Sequence, residues 1–169
     1  MFQITKYSGI KNIYFNKILF EIVRIGNLKS SKKKILDYGC GEKQLQKILK
    51  RKIINFDINP NLTEIENIEN SIFNTIVFNH VLMYMNKKKI SELFDNIKLI
   101  NPKCEFVIGI GKQNFLSKIA KNITFNFDAH LGTVSSYSDQ LDVIKEKTSV
   151  IKLKKNVFYM TDIFYTKFS

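Results

Sequence analysis

The sequence has the length of a single globular domain and carries a strong positive charge. Its 169 residues are 44% hydrophobic and 25% charged, a balance that excludes a long disordered chain. The two cysteines, Cys40 and Cys104, show no metal-type spacing and no disulfide framework, which favours a cytoplasmic protein. The longest uncharged run, residues 70–86, contains several polar side chains, so we expect no membrane-spanning helix.

The net charge of +12 comes almost entirely from lysine. All but two of the 27 basic residues are lysine, and isoleucine and asparagine are similarly abundant, as an A/T-rich coding sequence would produce. Such a field could attract nucleic acid, a peripheral membrane surface or an acidic substrate. We favour compositional drift over a dedicated polyanion site, so the charge is a weak clue to function.

Helical and strand patterns alternate along the chain. In the first half we predict a helix over 10–28, a strand over 34–37 that ends in an acid and a glycine turn, a helix over 42–51, a strand over 53–57 and one very short strand within 63–70. In the second half we predict a strand over 75–79, a helix from the cap Asn86 to about Ile100, a strand over 105–110, a helix over 113–121, a helix over 139–147 capped by Ser138, and strands over 150–154 and 157–167. The helix after Asn86 should turn its apolar residues inward, namely Ile90, Leu93, Phe94, Ile97 and Leu99.

This order predicts an α/β fold with a doubly wound, Rossmann-like, mostly parallel sheet. Strand–helix alternation places helices on both faces of such a sheet, as a three-layer sandwich. The last two strands, joined through Lys155-Asn156, should form an antiparallel hairpin at its edge.

The strongest chemical motif is Ile35-Leu-Asp-Tyr-Gly-Cys-Gly41 followed by a helix. Glycines at 39 and 41 allow a sharp turn and let a ligand lie against the backbone. In a doubly wound sheet, ligands bind at the carboxyl ends of the strands, where this turn lies. Asp57 follows Asp37 by 20 residues, at the end of the next predicted strand, where a carboxylate can accept hydrogen bonds from ribose hydroxyls.

Three segments, residues 35–41, 55–60 and 73–85, resemble successive motifs of class I S-adenosylmethionine-dependent methyltransferases. The similarity spans roughly residues 33–110 and is closest to the small-molecule group called type 11. It implies a seven-stranded sheet, S-adenosyl-L-methionine as the cofactor, and methyl transfer to an O, N or C atom. The expected acceptor is a small or medium-sized lipid, quinone, glycan precursor or metabolite.

The resemblance also implies a role for each motif residue. Gly39 and Gly41 would surround the methionine part of the cofactor, Asp37 would orient its amino acid end and Asp57 would hold the ribose. Glu64 would take the place of an acid that reaches the adenine amino group. The residues expected to bind the cofactor are Asp37, Gly39, Gly41, Asp57, Ile58, Glu64, Asn79 and His80.

Two departures from the family pattern leave alternatives open. Lys43 replaces the third glycine, and only 16 residues separate Asp57 from Asn74, too few for a full helix and a full strand. A redox dinucleotide enzyme would need Gly-x-Gly-x-x-Gly directly after the strand, whereas here an acid precedes the glycines and the last glycine is missing, so methyltransferase-type binding is favoured. Methylation of RNA or protein is the alternative activity, and a non-catalytic binding or scaffold protein is the second alternative.

Two histidines are candidates for acid–base work. His80 ends the strand over 75–79, and His130 lies in the segment after the strand over 105–110, where this family builds its acceptor pocket. An imidazole titrates near neutrality and suits removal of a proton from a hydroxyl or amine. Structural roles stay open for both, since methyl transfer needs little acid–base help when donor and acceptor are aligned.

We expect one methyltransferase domain over residues 1–169, as a monomer or homodimer, with no metal. Within it, residues 1–30 form a helical segment on the acceptor side and 33–110 form the cofactor-binding core. Residues 111–137 form an acceptor loop or lid, and 138–169 form a helix and the closing hairpin.

Overall fold

The computed structural model describes residues 10–30, 32–69, 71–112, 132–157 and 159–169, and helices and strands alternate along them. The helices are α1 (Ile10–Ile25), α2 (Gln44–Leu49), α3 (Lys87–Ile100) and α4 (Tyr137–Lys147), with a 3-10 turn at Leu82–Tyr84. The strands are β1 (Ile35–Tyr38), β2 (Ile54–Phe56), β3 (Thr75–Asn79), β4 (Glu105–Gly111), β5 (Thr148–Val157) and β6 (Thr161–Phe168). The predicted helix over 113–121 lies outside the described residues.

The described strands form one six-stranded sheet in the order β2-β1-β3-β4-β6-β5. Strands β1 to β4 are parallel, and β6 runs antiparallel to both of its neighbours. The carboxyl ends of β1 to β4 therefore meet at one edge of the sheet, and β6 begins at this edge because Thr161 lies opposite Gly111. A mostly parallel α/β sheet with a terminal antiparallel hairpin is confirmed.

The two faces of the sheet are buried by different helices. On β3, Phe78 packs with Phe94 of α3 in one core cluster, and the preceding Val77 packs with Ile22 of α1 in the other. Successive strand residues point to opposite faces, which explains the division. The expectation that Leu99 faces inward is wrong, since it is 84% exposed on the outer side of α3.

Helix caps are set by local hydrogen bonds. The side chain of Asn86 accepts the backbone N–H of Lys89 at 2.9 Å, as predicted for the start of α3. Ser138 is not the cap of α4. Ser136 is, because its Oγ accepts the N–H of Asp139 at 3.1 Å while the Asp139 carboxylate accepts the N–H of Ser136 at 3.0 Å. This reciprocal pair starts the helix two residues earlier than predicted.

The seventh strand is missing from the described part of the chain. We expected a very short strand within residues 63–70, but residues 63–69 form only bends, a turn and irregular structure. The N–H of Glu64 donates to the carbonyl of Asn55 at 2.9 Å, so the segment folds back against the end of β2 without continuing as a ladder. This return occupies the 16 residues between Asp57 and Asn74, and the described residues among them form no strand.

The closing hairpin turns later than predicted. Strand β5 continues through Lys155-Asn156 to Val157, and a turn at Tyr159-Met160 leads into β6 at Thr161. The register shifts between Lys154 and Val157, and the N–H of Asn156 donates to the Asp162 carboxylate at 2.8 Å. Because of this irregularity, Lys155 and Asn156, which we assigned to the turn, belong to β5.

Candidate functional site

The glycine turn after β1 is held against the end of β2. The N–H groups of Gly39 and Cys40 both donate to the carbonyl of Phe56, at 2.8 and 3.1 Å. Gly39 has φ +79°, and a Cβ there would lie 2.5 Å from a methyl of Val81. Gly41 has φ +48°, but a Cβ there would meet nothing within 4 Å. Gly39 is therefore needed for packing, whereas Gly41 leaves open space beside the backbone.

Asp57 is directly bonded to this turn. One carboxylate oxygen accepts the N–H of Gly41 at 2.9 Å, and the other accepts the N–H of Asn59 at 2.9 Å. Each oxygen of an ionised carboxylate can accept a further hydrogen bond. The structure thus brings together the two motifs that the sequence spacing paired, with acceptor capacity left over on Asp57.

A cleft opens beside the turn, between the sheet edge and α1. Its lining combines residues from the turn, from α1 and α2 and from the tip of β3: Phe15, Asn16, Leu19, Asp37, Gly39, Cys40, Gly41, Gln44, Leu45 and Asn79. Four of the predicted cofactor residues are among them. The contribution of α1 was predicted only as a general acceptor-side role for residues 1–30.

Asp37 is a buried acid at the base of this cleft. It is 5% exposed, and burial, followed by the nearby charge of Asp57, raises its pKa to about 7. No described residue donates a hydrogen bond to its carboxylate. An acid held this way has a costly ionised form, which a cationic partner would relieve.

Asn79 adds a second polar atom with unmet hydrogen-bonding capacity. Its Oδ1 is buried and has no hydrogen-bond partner among the described residues. It sits over Gly109 of β4, where a Cβ would come within 3.1 Å of it. A buried acceptor without a donor is uncommon in proteins and calls for an explanation.

Glu64 and Ile58 lie outside the lining of this cleft. The Glu64 carboxylate pairs with Lys43 at 2.7 Å and accepts a hydrogen bond from Asn55 at 3.0 Å. Burial alone would raise the pKa of Glu64, but its hydrogen bonds with Lys43 and Asn55, together with the charge of Lys43, lower the pKa. Lys43 adopts a left-handed backbone, φ 58°, at the start of α2, and its side chain reaches away from the cleft lining to Glu64. Ile58, next to Asp57, is 77% exposed.

His80 follows Asn79 of the cleft lining, and its ring packs over Gly111 of β4. Gly109 and Gly111 alternate along β4 and so face the same side of the sheet. A Cβ at Gly111 would lie 3.1 Å from the imidazole of His80, so the missing side chain makes room for the ring. Nε2 of His80 lies 3.1 Å from Oγ1 of Thr161, which is itself 2.8 Å from the hydroxyl of Tyr14. The available signal was the i, i+2 pair of glycines at the end of the strand predicted over 105–110 and directly after it.

Other expectations have simple outcomes. His130 lies outside the described residues. Among the residues that the structure describes, no cluster of three or more potential ligands could hold a metal ion. Within the same residues, no helix has both the length and the apolar composition needed to cross a membrane.

Similarity to known proteins is found in structure only. No family model matches the sequence, and no curated protein matches it. The N-methyltransferase NodS from Bradyrhizobium japonicum WM9, solved with S-adenosyl-l-homocysteine, has a TM-score of 0.63 at 13% identity, covering 92% of this chain and 87% of NodS. The magnesium protoporphyrin IX methyltransferase ChlM from Synechocystis PCC 6803, also with S-adenosylhomocysteine, has a TM-score of 0.58 at 10% identity, covering 98% and 90% of the two chains. The small RNA methyltransferase HEN1 has a TM-score of 0.68 at 12% identity, covering all of this chain and 27% of HEN1.

Proposed function

We propose that this chain, whose fold is that of class I methyltransferases, binds S-adenosyl-L-methionine and methylates a small or medium-sized acceptor. The methylated atom would be an O, N or C atom of a lipid, quinone, glycan precursor or metabolite. The observation that carries the proposal is the bond from the Gly41 N–H to the Asp57 carboxylate, at the mouth of a cleft that contains Asp37. Two similar structures contain S-adenosylhomocysteine, the product left after methyl transfer.

The amino acid end of the cofactor fits the acceptors at the base of the cleft. The ammonium group would donate to the carboxylate of Asp37 and to Oδ1 of Asn79, which lack donors among the described residues. Gly39 and Gly41 would keep the backbone low enough for the methionine chain to lie against it. The cationic end thereby relieves the cost of ionising a buried acid.

The adenosyl end of the cofactor fits the side chains at the rim of the cleft. Asp57 would use its remaining lone pairs for the ribose hydroxyls while Gly41 and Asn59 hold its carboxylate in place. Ile58 would offer apolar surface to the adenine ring, since its side chain is exposed next to Asp57. Glu64 would reach the adenine amino group with a carboxylate that is already oriented by Lys43 and Asn55.

When bound, S-adenosyl-L-methionine supplies a methyl group on a sulfonium centre. The protein's part is to align the acceptor and exclude water, which can account for most of the rate in a transfer of this kind. Residues 1–30 and 111–137 would form the acceptor side around the core of residues 33–110. His80 and His130 are the candidates for contact with the acceptor, and a cytoplasmic monomer or homodimer is the expected form.

Calorimetric titration with S-adenosylhomocysteine tests the proposal. The native protein should bind with a stoichiometry near one. Asp57→Asn keeps an acceptor oxygen for the turn but loses the charge, and Asp57→Ala loses both, so binding should weaken in that order. Glu66→Ala removes an exposed acid nearby and should bind like the native protein. A folded native protein that binds nothing at millimolar ligand would refute the proposal.

RNA is the second candidate acceptor, favoured by the similarity to HEN1 and the net charge of +12. The edge strand β5 carries three exposed lysines, Lys152, Lys154 and Lys155, and it contains no acidic residue. Binding of a single-stranded RNA that weakens steeply with salt would support this candidate. No RNA binding at low salt would exclude it. Protein methylation has no such specific observation in its favour.

The non-catalytic alternative gives the opposite result in a thermal melt. A scaffold that does not use the cleft should show the same melting temperature with and without S-adenosylhomocysteine. For such a scaffold, the ligand should also leave the melting temperature of Asp57→Ala unchanged, as it does for the native protein. The proposed function requires stabilisation by the ligand in the native protein and its loss in the variant.

A further inference from the structure

The outer side of α1 combines exposed apolar and basic side chains in one stripe. Ile13, Lys17, Phe20 and Arg24 recur at helical spacing, so they lie on the same side of the helix. All four are exposed, and the apolar pair Ile13 and Phe20 is 67% and 54% exposed. The buried residues of α1 lie on the other side, against the sheet. Packing within the described part of the chain therefore does not account for the two apolar side chains of the stripe.

A shallow depression of about 290 Å³ lies where the stripe ends. Its lining joins the last turns of α1 to the loop that follows: Phe20, Val23, Arg24, Asn27 and Lys29. The Arg24 guanidinium is paired with Glu21 at 2.7 Å, whereas Lys29 has no acidic partner among the residues that the structure describes. An aromatic ring beside two cations suits a ligand that joins an apolar part to an anionic group.

The helices on the two faces of the sheet differ in charge. Helices α1 and α2 pack in one core cluster and together carry four basic residues and one acid, Glu21. Helices α3 and α4 pack in the other cluster and carry six basic and five acidic residues, and ion pairs such as Lys87–Asp142 join them. On the first face, the exposed Lys17 and Lys47 have no acidic partner within the described ranges. The α1–α2 layer is therefore the more positive of the two.

An anionic lipid bilayer matches this face better than RNA or a protein does. Lysines are point charges that respond to the diffuse potential of an anionic surface, and aromatic or aliphatic side chains between them enter the interface. An aliphatic side chain such as Ile13 gives bases no ring to stack on, which RNA binding would favour. A protein partner would need a continuous apolar core, whereas Ile13 and Phe20 stand roughly 10 Å apart along the helix with Lys17 between them.

We propose that the outer stripe of α1 docks on an anionic lipid bilayer. Ile13 and Phe20 insert at the interface between headgroups and acyl chains. Lys17 and Arg24, together with Lys47 of the neighbouring α2, lie among the negatively charged headgroups. The surface potential of the bilayer attracts the positive layer, and the two apolar side chains then hold it in place.

The docking surface adjoins the proposed cofactor cleft. Phe15, Asn16 and Leu19 line that cleft, and they are interspersed in α1 with the residues of the stripe. The cleft therefore opens on a flank of the helix that lies on the bilayer. Resting on the proposed function, this placement narrows the acceptor to a molecule that resides in the bilayer, a lipid or a quinone.

Co-sedimentation with lipid vesicles tests the docking surface. The native protein should bind vesicles of equal parts phosphatidylglycerol and phosphatidylcholine more tightly than vesicles of phosphatidylcholine alone, and added salt should weaken this binding. Phe20→Ser should weaken it roughly tenfold, because the ring no longer leaves water on docking, whereas Phe20→Leu should keep most of it. Leu99→Ser is the matched control, since it removes a side chain that is 84% exposed on α3, and it should bind like the native protein.

Two double variants of equal net charge separate the α1–α2 face from the charge of the whole molecule. Lys17→Glu with Lys47→Glu reverses two charges on α1 and α2, and binding should fall by roughly 20-fold or more. Lys89→Glu with Lys145→Glu reverses two exposed charges on α3 and α4 and should bind almost normally, because salt screens charges beyond about 8 Å. Native unfolding midpoints in urea show that each variant is folded.

The outcomes distinguish this inference from the proposed function. Native protein that does not sediment with anionic vesicles at low salt, or equal losses in the two double variants, would overturn the inference even if S-adenosylhomocysteine binds. Binding of single-stranded RNA in place of vesicles, lost in the Lys17 and Lys47 variant, would also overturn it and assign this face to RNA. Vesicle binding without any binding of S-adenosylhomocysteine would instead refute the proposed function and leave only the docking surface.

Discussion

Replacing Asp37 with asparagine should stabilise the ligand-free protein and weaken its binding of S-adenosylhomocysteine. The folded protein raises the pKa of Asp37 from 3.8 to about 7, because the carboxyl is buried and lies near Asp57. Between these two pH values the folded state holds a proton that the unfolded state releases. The free energy of unfolding therefore falls as the pH rises through this window, and above about pH 7 the full cost of the buried charge is present.

The size of the effect follows from the shift. A rise of roughly three pKa units corresponds to about 4 kcal/mol, at 1.36 kcal/mol per unit. Asparagine carries no charge, so Asp37→Asn should gain up to about 4 kcal/mol relative to the native protein above pH 7. The gain should shrink as the pH falls and vanish near pH 4, where the acid is protonated in both states.

Urea unfolding at a series of pH values measures this difference. Glu66→Gln is the matched control, because it changes an exposed acid to an amide and should leave the pH dependence unaltered. Calorimetry on the same variants should show weaker ligand binding only for Asp37→Asn, since the amide cannot neutralise the ammonium group. If Asp37→Asn lowered stability above pH 7, Asp37 would be a structural cap of the turn and the reasoning would be refuted.

Three other substitutions test the local geometry. Gly39→Ala should destabilise the fold by about 2–4 kcal/mol, because the new methyl group clashes with Val81 and the backbone has a positive φ. Gly41→Ala should cost only about 1 kcal/mol of stability and should mainly weaken ligand binding. Urea unfolding measures the loss of stability, and calorimetry measures the loss of binding. Lys43→Gly should change stability by less than about 1 kcal/mol, because relief of the left-handed backbone offsets loss of a partly exposed ion pair with Glu64, as unfolding curves would show. Ser136→Ala should cost about 1 kcal/mol by loss of the α4 cap, and an unchanged unfolding midpoint would contradict the assignment.

Local signals in the sequence were sufficient for much of the fold. The bounds of β3, Thr75–Asn79, agree with prediction because a continuous apolar run ends at a polar pair. The start of α3 agrees with prediction because the Asn86 side chain caps the helix by accepting the N–H of Lys89, three residues later. The pairing of the glycine turn with Asp57 also follows from spacing, since parallel neighbouring strands end at the same edge.

Features that depend on distant contacts could not be predicted. The β5–β6 turn moved because a register irregularity near Asn156 is fixed by the Asp162 carboxylate, and no local pattern records this. The role of Gly111 depends on the ring of His80, which follows β3, meeting a hydroxyl of β6 over β4. Glu64 pairs with Lys43, 21 residues away in sequence, and no local pattern relates these two residues.

A crystal structure with S-adenosylhomocysteine tests the central claim most directly. We predict that the ribose hydroxyls lie within hydrogen-bonding distance of the Asp57 carboxylate, that the methionine chain passes over Gly39 and Gly41, and that the ammonium group contacts Asp37. A ligand bound elsewhere on the molecule, with the cleft beside the glycine turn left empty, would contradict the account.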